Sequence, residues 1–261
     1  MKNNNFLSDG YKVDEEHPGE MYAGFNSVKD SGKKIYNKAK KSIGNAINTT
    51  NDVINQAKTY MDMGGEELWI STHHGKNAAI KYAEHSVKSL NDAVGKSEVW
   101  GISGAEDNKA DAYRHFAWNA QMTRDSDLGY YTARDLTNYH EYDTIKDLGW
   151  IQKDSDKFNY LKDNTIIKCK MNQPALMDLW NNQVGRELAN NKTFSEMDID
   201  SLFDMAYNNN WLITDASKTY EFLGITDYIT DDYNVDAEWN LTTGNIKVKK
   251  GDKYVDLKIG V

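Results

Sequence analysis

Asp111 and His115 stand four residues apart in the segment Asp111-Ala-Tyr-Arg-His115-Phe-Ala-Trp118-Asn119. On an α-helix that spacing turns both side chains to one side, close enough to share a partner. A carboxylate and an imidazole so placed can grip a divalent metal, or hold a water between them as an acid–base pair. The same face continues through Arg114, Trp118, Asn119 and Met122, mixing charge with aromatic bulk. A purely buried face would be apolar, and a purely solvated one would not invest a tryptophan. Taken alone, the segment is equally explained by a half-buried helix with a local Asp–Arg or Asp–His pair.

Two later segments offer matching chemistry. His140 and Glu141 are adjacent, so on a helix they point about 100° apart and cannot both face one ion. One can ligate while the other orients a ligand or takes a proton from water. A third helical face carries Asp178, Asn181, Asn182 and Gly185. Two adjacent asparagines in mid-helix compete with the backbone for hydrogen bonds, so a buried polar network or a ligand should compensate. Gly185 on that face allows another backbone, or a substrate, to come close.

Together the three faces predict a site. Asp111, His115 and His140 form a candidate metal set, with Asp178 as a further ligand or orienter. Zinc is the expected ion, since its catalytic sites use three N/O ligands and an open position. Glu141 is the candidate general base, with His115 and Arg114 in the catalytic group. Arg114 or Arg186 can fork onto an anionic substrate group. Asn119, Asn181, Asn182 and Arg186 make up the substrate-contacting or network residues. His73-His74, beside Gly75, is a further pair, more simply read as an exposed loop. His-Glu-x-x-His, Gly-x-Ser-x-Gly, phosphate-loop and dinucleotide signatures are all absent, which disfavours the common protease, serine hydrolase and nucleotide-binding classes.

The elements that must position these residues can be read along the chain. Only two prolines in 261 residues favour long helices, and 16 tyrosines with 7 tryptophans are too many for a disordered chain. Residues 1–27 read as an irregular tail. Helical stripes run over 31–63, with a basic start at Lys33, Lys34, Lys38, Lys40 and Lys41, and over 66–97. Asp107 or Asn108 can cap the helix of the opening motif, which runs to about Arg124. A further helix extends to about Asp143, residues 149–172 are mixed, and Pro174 opens a helix to about Asn190. Shorter helical pieces follow at 195–208 and 215–223. Alternation around Trp239, Val248 and Leu257 predicts a three-stranded antiparallel meander. The expected fold is mainly α: a tail (1–27), an N-terminal helical segment (28–104), a helical catalytic core (105–232) and a small β meander (233–261).

The net charge of −9 argues against a broad nucleic-acid-binding face, although a bound cation could still make a nuclease. The single cysteine, Cys169, permits no internal disulfide and reads as a packed thiol. Residues 1–10 lack an apolar signal region, and no apolar run reaches the roughly 18 residues of a spanning helix. A cytosolic protein, or one exported without a cleavable signal, is expected.

The motifs of residues 105–190, from Asp111 through His140-Glu141 to Met177-Asp178-Leu-Trp-Asn181-Asn182-Gln-Val-Gly185-Arg186, resemble a poorly characterised domain. That domain stands at the C-termini of bacterial polymorphic-toxin and RHS or wall-associated-type proteins. The resemblance implies an effector held in the bacterial cytoplasm before export and delivered by a route other than Sec. It also implies delivery machinery and a cognate immunity protein as partners. The Arg114-His115 pair is also similar to the helix of small secreted phospholipases. Phe116 stands where those enzymes place an aspartate, so their activity is not carried over. With a metal and an arginine, the expected function is hydrolysis of a phosphodiester, in phospholipid or nucleic acid. The alternatives are a peptidoglycan hydrolase and a non-catalytic cargo, inhibitor or binding protein.

Overall fold

The structure, a computed structural model, describes residues 74–147, 166–230 and 232–257. The expected N-terminal tail, the 31–63 helix with its basic start, and His73 lie outside the described residues. The chain divides into two compact units, residues 1–87 and 88–261, and the division falls inside the first described helix. That helix, α1, spans Lys76–Trp100. Before the division it buries Ala78, Tyr82 and Ala83; His74, ahead of it, is exposed.

The second unit holds the rest. Beyond the division, α1 buries the small residues Ser89, Ala93 and Ser97 at four-residue spacing. Within the stripe expected over 66–97, the larger Leu90 and Val94 are exposed instead. Helix α2 (Lys109–Arg124) starts where expected: the Asn108 side chain accepts from the Ala110 and Asp111 N–H groups. It is followed by α3 (Gly129–Asp147), strand β1 (Ile166–Met171) and α4 (Gln173–Asn190). Pro174 occupies the first turn of α4, where its missing N–H costs nothing, and Asn172 caps the helix through the Ala175 N–H. Helices α5 (Ile199–Asn208) and α6 (Thr219–Phe222) lead into β2 (Val235–Asn240), β3 (Ile246–Lys250) and β4 (Lys253–Leu257).

The protein is therefore mainly α with a small antiparallel sheet, and the expected meander is present as β2–β3–β4. A fourth strand joins it. β1, from the segment read as mixed, pairs antiparallel with β2 along its whole length, Ile167 opposite Trp239 and Met171 opposite Val235. Ile167, Cys169 and Met171 point inward while Ile166 and Lys168 point out, the period-2 alternation of a half-buried strand. The inner face of the sheet, with Trp239 and Val248, packs on Leu176 and Leu179 of α4 and on Tyr142 and Ile145 of α3. A second core joins Phe116 of α2, Val184 and Leu188 of α4, and Leu202 and Phe203 of α5. Helix α4 thus lies between two apolar cores, and its remaining face is turned to α2 and α3.

On that face Gly185 decides how close the helices come. A Cβ built on Gly185 would lie 2.3 Å from the Phe116 carbonyl oxygen, a distance no real side chain tolerates. The close approach allowed in sequence terms at Gly185 is that of another helix backbone. It presses the polar face of α2 directly against the polar face of α4. Among the described residues, no helix is long and apolar enough to cross a membrane.

Candidate metal centre

Helix α2 supplies Asp111 and His115, α4 supplies Asp178 and Asn182, and α3 supplies Glu141. All are buried except Asp178, whose side chain is 18% exposed. One ligand atom each from Asp111, His115 and Asp178 falls within 4.8 Å of the other two, a spacing that could hold a metal ion. His115 Nε2 lies 3.6 Å from Asp111 Oδ1 and 3.3 Å from Asp178 Oδ1. Asp178 Oδ1 accepts no hydrogen bond, and Asp111 Oδ1 is ion-paired with Arg114 Nη2 at 2.7 Å. The other Asp111 oxygen, Oδ2, accepts from the Asp107 backbone N–H at 2.7 Å. Asp107 reaches that position in a left-handed conformation (φ 57°), and its carbonyl is held by the Ala216 N–H. Aspartate tolerates this region better than most residues, so the loop fixes Asp111 at modest backbone cost.

The protonation of His115 follows from a chain of obligatory donors. A guanidinium can only donate. Arg186, fully buried on α4, donates from Nη1 to Asn119 Oδ1 (2.5 Å) and to Thr137 Oγ1 (2.9 Å). Asn119 Oδ1 is thereby an acceptor, and its Nδ2 donates to the His115 carbonyl (3.0 Å) and to Asn182 Oδ1 (2.5 Å). Asn182 Nδ2 in turn donates to Glu141 Oε1 at 2.9 Å. Since Asn182 Oδ1 accepts, His115 Nδ1, 3.1 Å from it, must carry the proton. Nε2 is left as an acceptor, flanked by Asp111 Oδ1 and Asp178 Oδ1. Arg114 Nη2, 2.8 Å from Nε2, can only donate and so requires the same tautomer independently.

The electrostatics match this geometry. Burial, then the neighbouring Arg114 and His140, hold His115 well below its ordinary pKa, so the imidazole is neutral. Burial also raises the carboxyls of Asp111 and Glu141. Asp178 is pushed well above its ordinary value, by burial and then by Glu141 and Asp111. Three carboxyl groups, Asp111, Glu141 and the partly exposed Asp178, face one guanidinium, Arg114, and ionising each away from water costs several kcal/mol unless it is paired. With all three ionised, a divalent ion would cancel the two negative charges that Arg114 leaves over.

The structure brings together Asp111, His115, Asp178, Arg114, Glu141, Asn119, Asn182 and Arg186. His140 is not in the ligand group. Its ring stands edge-on to Trp118 at 5.2 Å, half-buried, and it is Glu141 that turns inward. Glu141 sits on the Nδ1 side, 3.5 Å from that nitrogen, behind the imidazole. That is where a metal-ligating histidine usually finds the group that orients it. Arg186 is too deeply buried to fork onto a substrate: its role is to anchor Asn119. Burial brings its pKa down to about 10. Asn181 also turns elsewhere, exchanging two hydrogen bonds with the Ile213 backbone and pinning that loop to α4. Cys169 lies in the sheet core, its thiol pushed up to about 12 by burial, as expected of a packed thiol. Thr137 was missed in sequence terms, although it stands four residues before Glu141 on the same helical face.

This chain belongs to the family described as Domain of unknown function (DUF6973), whose model matches residues 68–210. The match contains every residue of the centre and ends before β2. No curated protein and no solved structure matches the chain.

Proposed function

We propose that Asp111, His115 and Asp178 hold a divalent metal ion, with zinc the first candidate, and that the chain is a metal-dependent hydrolase of phosphodiesters. The observation that carries this reading is a neutral, buried histidine whose Nε2 acceptor faces Asp111 Oδ1 and Asp178 Oδ1, the latter accepting no hydrogen bond. Such an arrangement is costly in itself and is relieved by a cation. The ion would supply Lewis-acid polarisation and lower the pKa of water. Asn182 and Glu141 hold the imidazole in its ligating tautomer. Asp178 and Arg114, with 18% and 29% of their side chains exposed, form the side open to solvent. Arg114 there suits an anionic substrate oxygen. The effector context, with export by a route other than Sec and a cognate immunity protein, belongs to the same proposal and rests on the motif resemblance.

One observation favours a second reading, a non-catalytic buried ion cluster: Arg114 Nη2 already lies 2.7 Å from Asp111 Oδ1. A single experiment separates the two. Chelator-treated protein is reloaded with Zn²⁺, Mn²⁺ or Mg²⁺ and assayed on bis(p-nitrophenyl) phosphate, phospholipid vesicles and nucleic acid. Ion-dependent hydrolysis, lost in a folded His115→Ala variant, supports the hydrolase. Activity that survives in that variant, or no hydrolysis with any ion, sinks it.

A further inference from the structure

The position of Arg114 is hard to reconcile with a metal sharing the centre. Its Nη2 is 2.7 Å from Asp111 Oδ1 and 2.8 Å from His115 Nε2, and those two atoms are 3.6 Å apart. A metal bonded to both sits about 2 Å from each. Triangulation then leaves it at most roughly 3 Å from the guanidinium nitrogen, wherever it lies around that axis. Two cations that close, one with its N–H bonds aimed into the centre, repel strongly in a buried site. One of them has to leave. Arg114 is the one that can: its side chain is partly exposed, and its long stem lets the head group move out to water.

We propose that Arg114 is the built-in cation of the metal-free centre, and that metal entry displaces it to the mouth, where it and the ion together take an anionic oxygen. This rests on the metal reading above and adds a competition between two cations for the same pair of ligand atoms. In the metal-free protein, Arg114 pairs with Asp111 and donates to the Nε2 lone pair. In the loaded protein the same residue faces solvent beside the ion. The class of ligand recognised is a compact oxyanion, such as a phosphoryl group, that can bridge a metal and a guanidinium.

The test is calorimetric titration of the full chain, freed of metal, with Zn²⁺ and Mn²⁺, for wild type, Arg114→Gln and Arg114→Lys. Removing the competitor is expected to tighten metal binding about tenfold or more in Arg114→Gln. The same variant is expected to unfold at lower temperature when metal-free and to regain the loss when loaded. Arg114→Lys, which keeps a displaceable charge, is expected to stay near wild type. Inorganic phosphate, titrated into the loaded proteins, is expected to bind wild type and to bind Arg114→Gln several-fold more weakly. Equal metal affinity in wild type and Arg114→Gln overturns the displacement and leaves the metal reading standing. Binding by Arg114→Gln alone makes Arg114 a permanent occupant and overturns both, as does binding by neither. Phosphate affinity that ignores Arg114 overturns the anion-binding half.

Discussion

Gly185→Ala tests whether the close approach of α2 and α4 builds the site. The new Cβ would meet the Phe116 carbonyl oxygen at 2.3 Å, about 1 Å inside the 3.4 Å at which ordinary contact begins. Its neighbours there are backbone atoms of a helix, with the Phe116 carbonyl carbon and Cα at 3.0 Å, so no side chain can swing aside. The helices must separate by roughly that 1 Å. Overpacking of this kind costs about 1–3 kcal/mol, and the backbone contact places it at the upper end. The same movement lengthens the 2.5 Å Asn119–Asn182 bond beyond hydrogen-bonding range and spreads His115 from Asp178. Gly95→Ala is the control. Gly95 lies in α1, and a Cβ there meets nothing within 4 Å, so the change should stabilise by about 0.5–1 kcal/mol through helix propensity. Chemical denaturation measures both, and divalent-ion titration follows the site. If Gly185→Ala is as stable as Gly95→Ala and binds metal as wild type does, the close-packing account is refuted.

Three further outcomes follow from the site. Asn119→Asp keeps shape but removes the donor that holds Asn182 Oδ1 toward His115; in an Arg114→Leu background, where no guanidinium fixes Nε2 as the acceptor, ¹⁵N NMR should show the His115 ring proton leaving Nδ1, and metal affinity should fall about 10–100-fold against Arg114→Leu alone. An unchanged tautomer would remove the Arg186–Asn119–Asn182 relay from the argument. The folded carboxyl of Asp178 sits well above the ordinary 3.8, so the metal-free folded state binds the extra proton. Its contribution to stability is therefore present below 3.8 and is lost as pH rises through the folded pKa, whereas metal binding releases that proton and strengthens with pH. Metal-free thermal scans across pH, and titrations in buffers of different ionisation enthalpy, check both signs; pH-independent metal affinity would contradict them. Finally, Cys169, buried between β1 and the helices, should react with alkylating reagent only after unfolding, and rapid labelling of native protein would show that β1 is not packed as described.

Helical spacing made much of this site legible. Asp111 and His115 at i and i+4, and Asp178 and Asn182 likewise, need only a helix to share a face, and the cap at Asn108 and the first-turn Pro174 marked where those helices begin. Gly185 announced a close approach before its partner, Phe116, was known. What spacing could not decide was which of two adjacent residues turns inward. His140 and Glu141 are separated by a rotation set by the packing of α3, where Ala133, Thr137 and Glu141 are buried in register and His140 flanks them. Nor could it tell a substrate-binding arginine from an anchoring one. Arg114 and Arg186 differ only in burial, which depends on three helices meeting. β1 was missed because six residues of alternating Ile, Lys, Cys and Met carry a strand signal only beside a partner, and β2 lies more than sixty residues later.

The central claim is that Asp111, His115 and Asp178 converge on one divalent ion. Anomalous diffraction from crystals soaked in Zn²⁺ tests it most directly. The account predicts one strong peak about 2.0–2.2 Å from Asp111 Oδ1, His115 Nε2 and Asp178 Oδ1, with Arg114 moved out of the centre. Peaks confined to exposed carboxylates, with Arg114 still bridging Asp111 and His115, would contradict it.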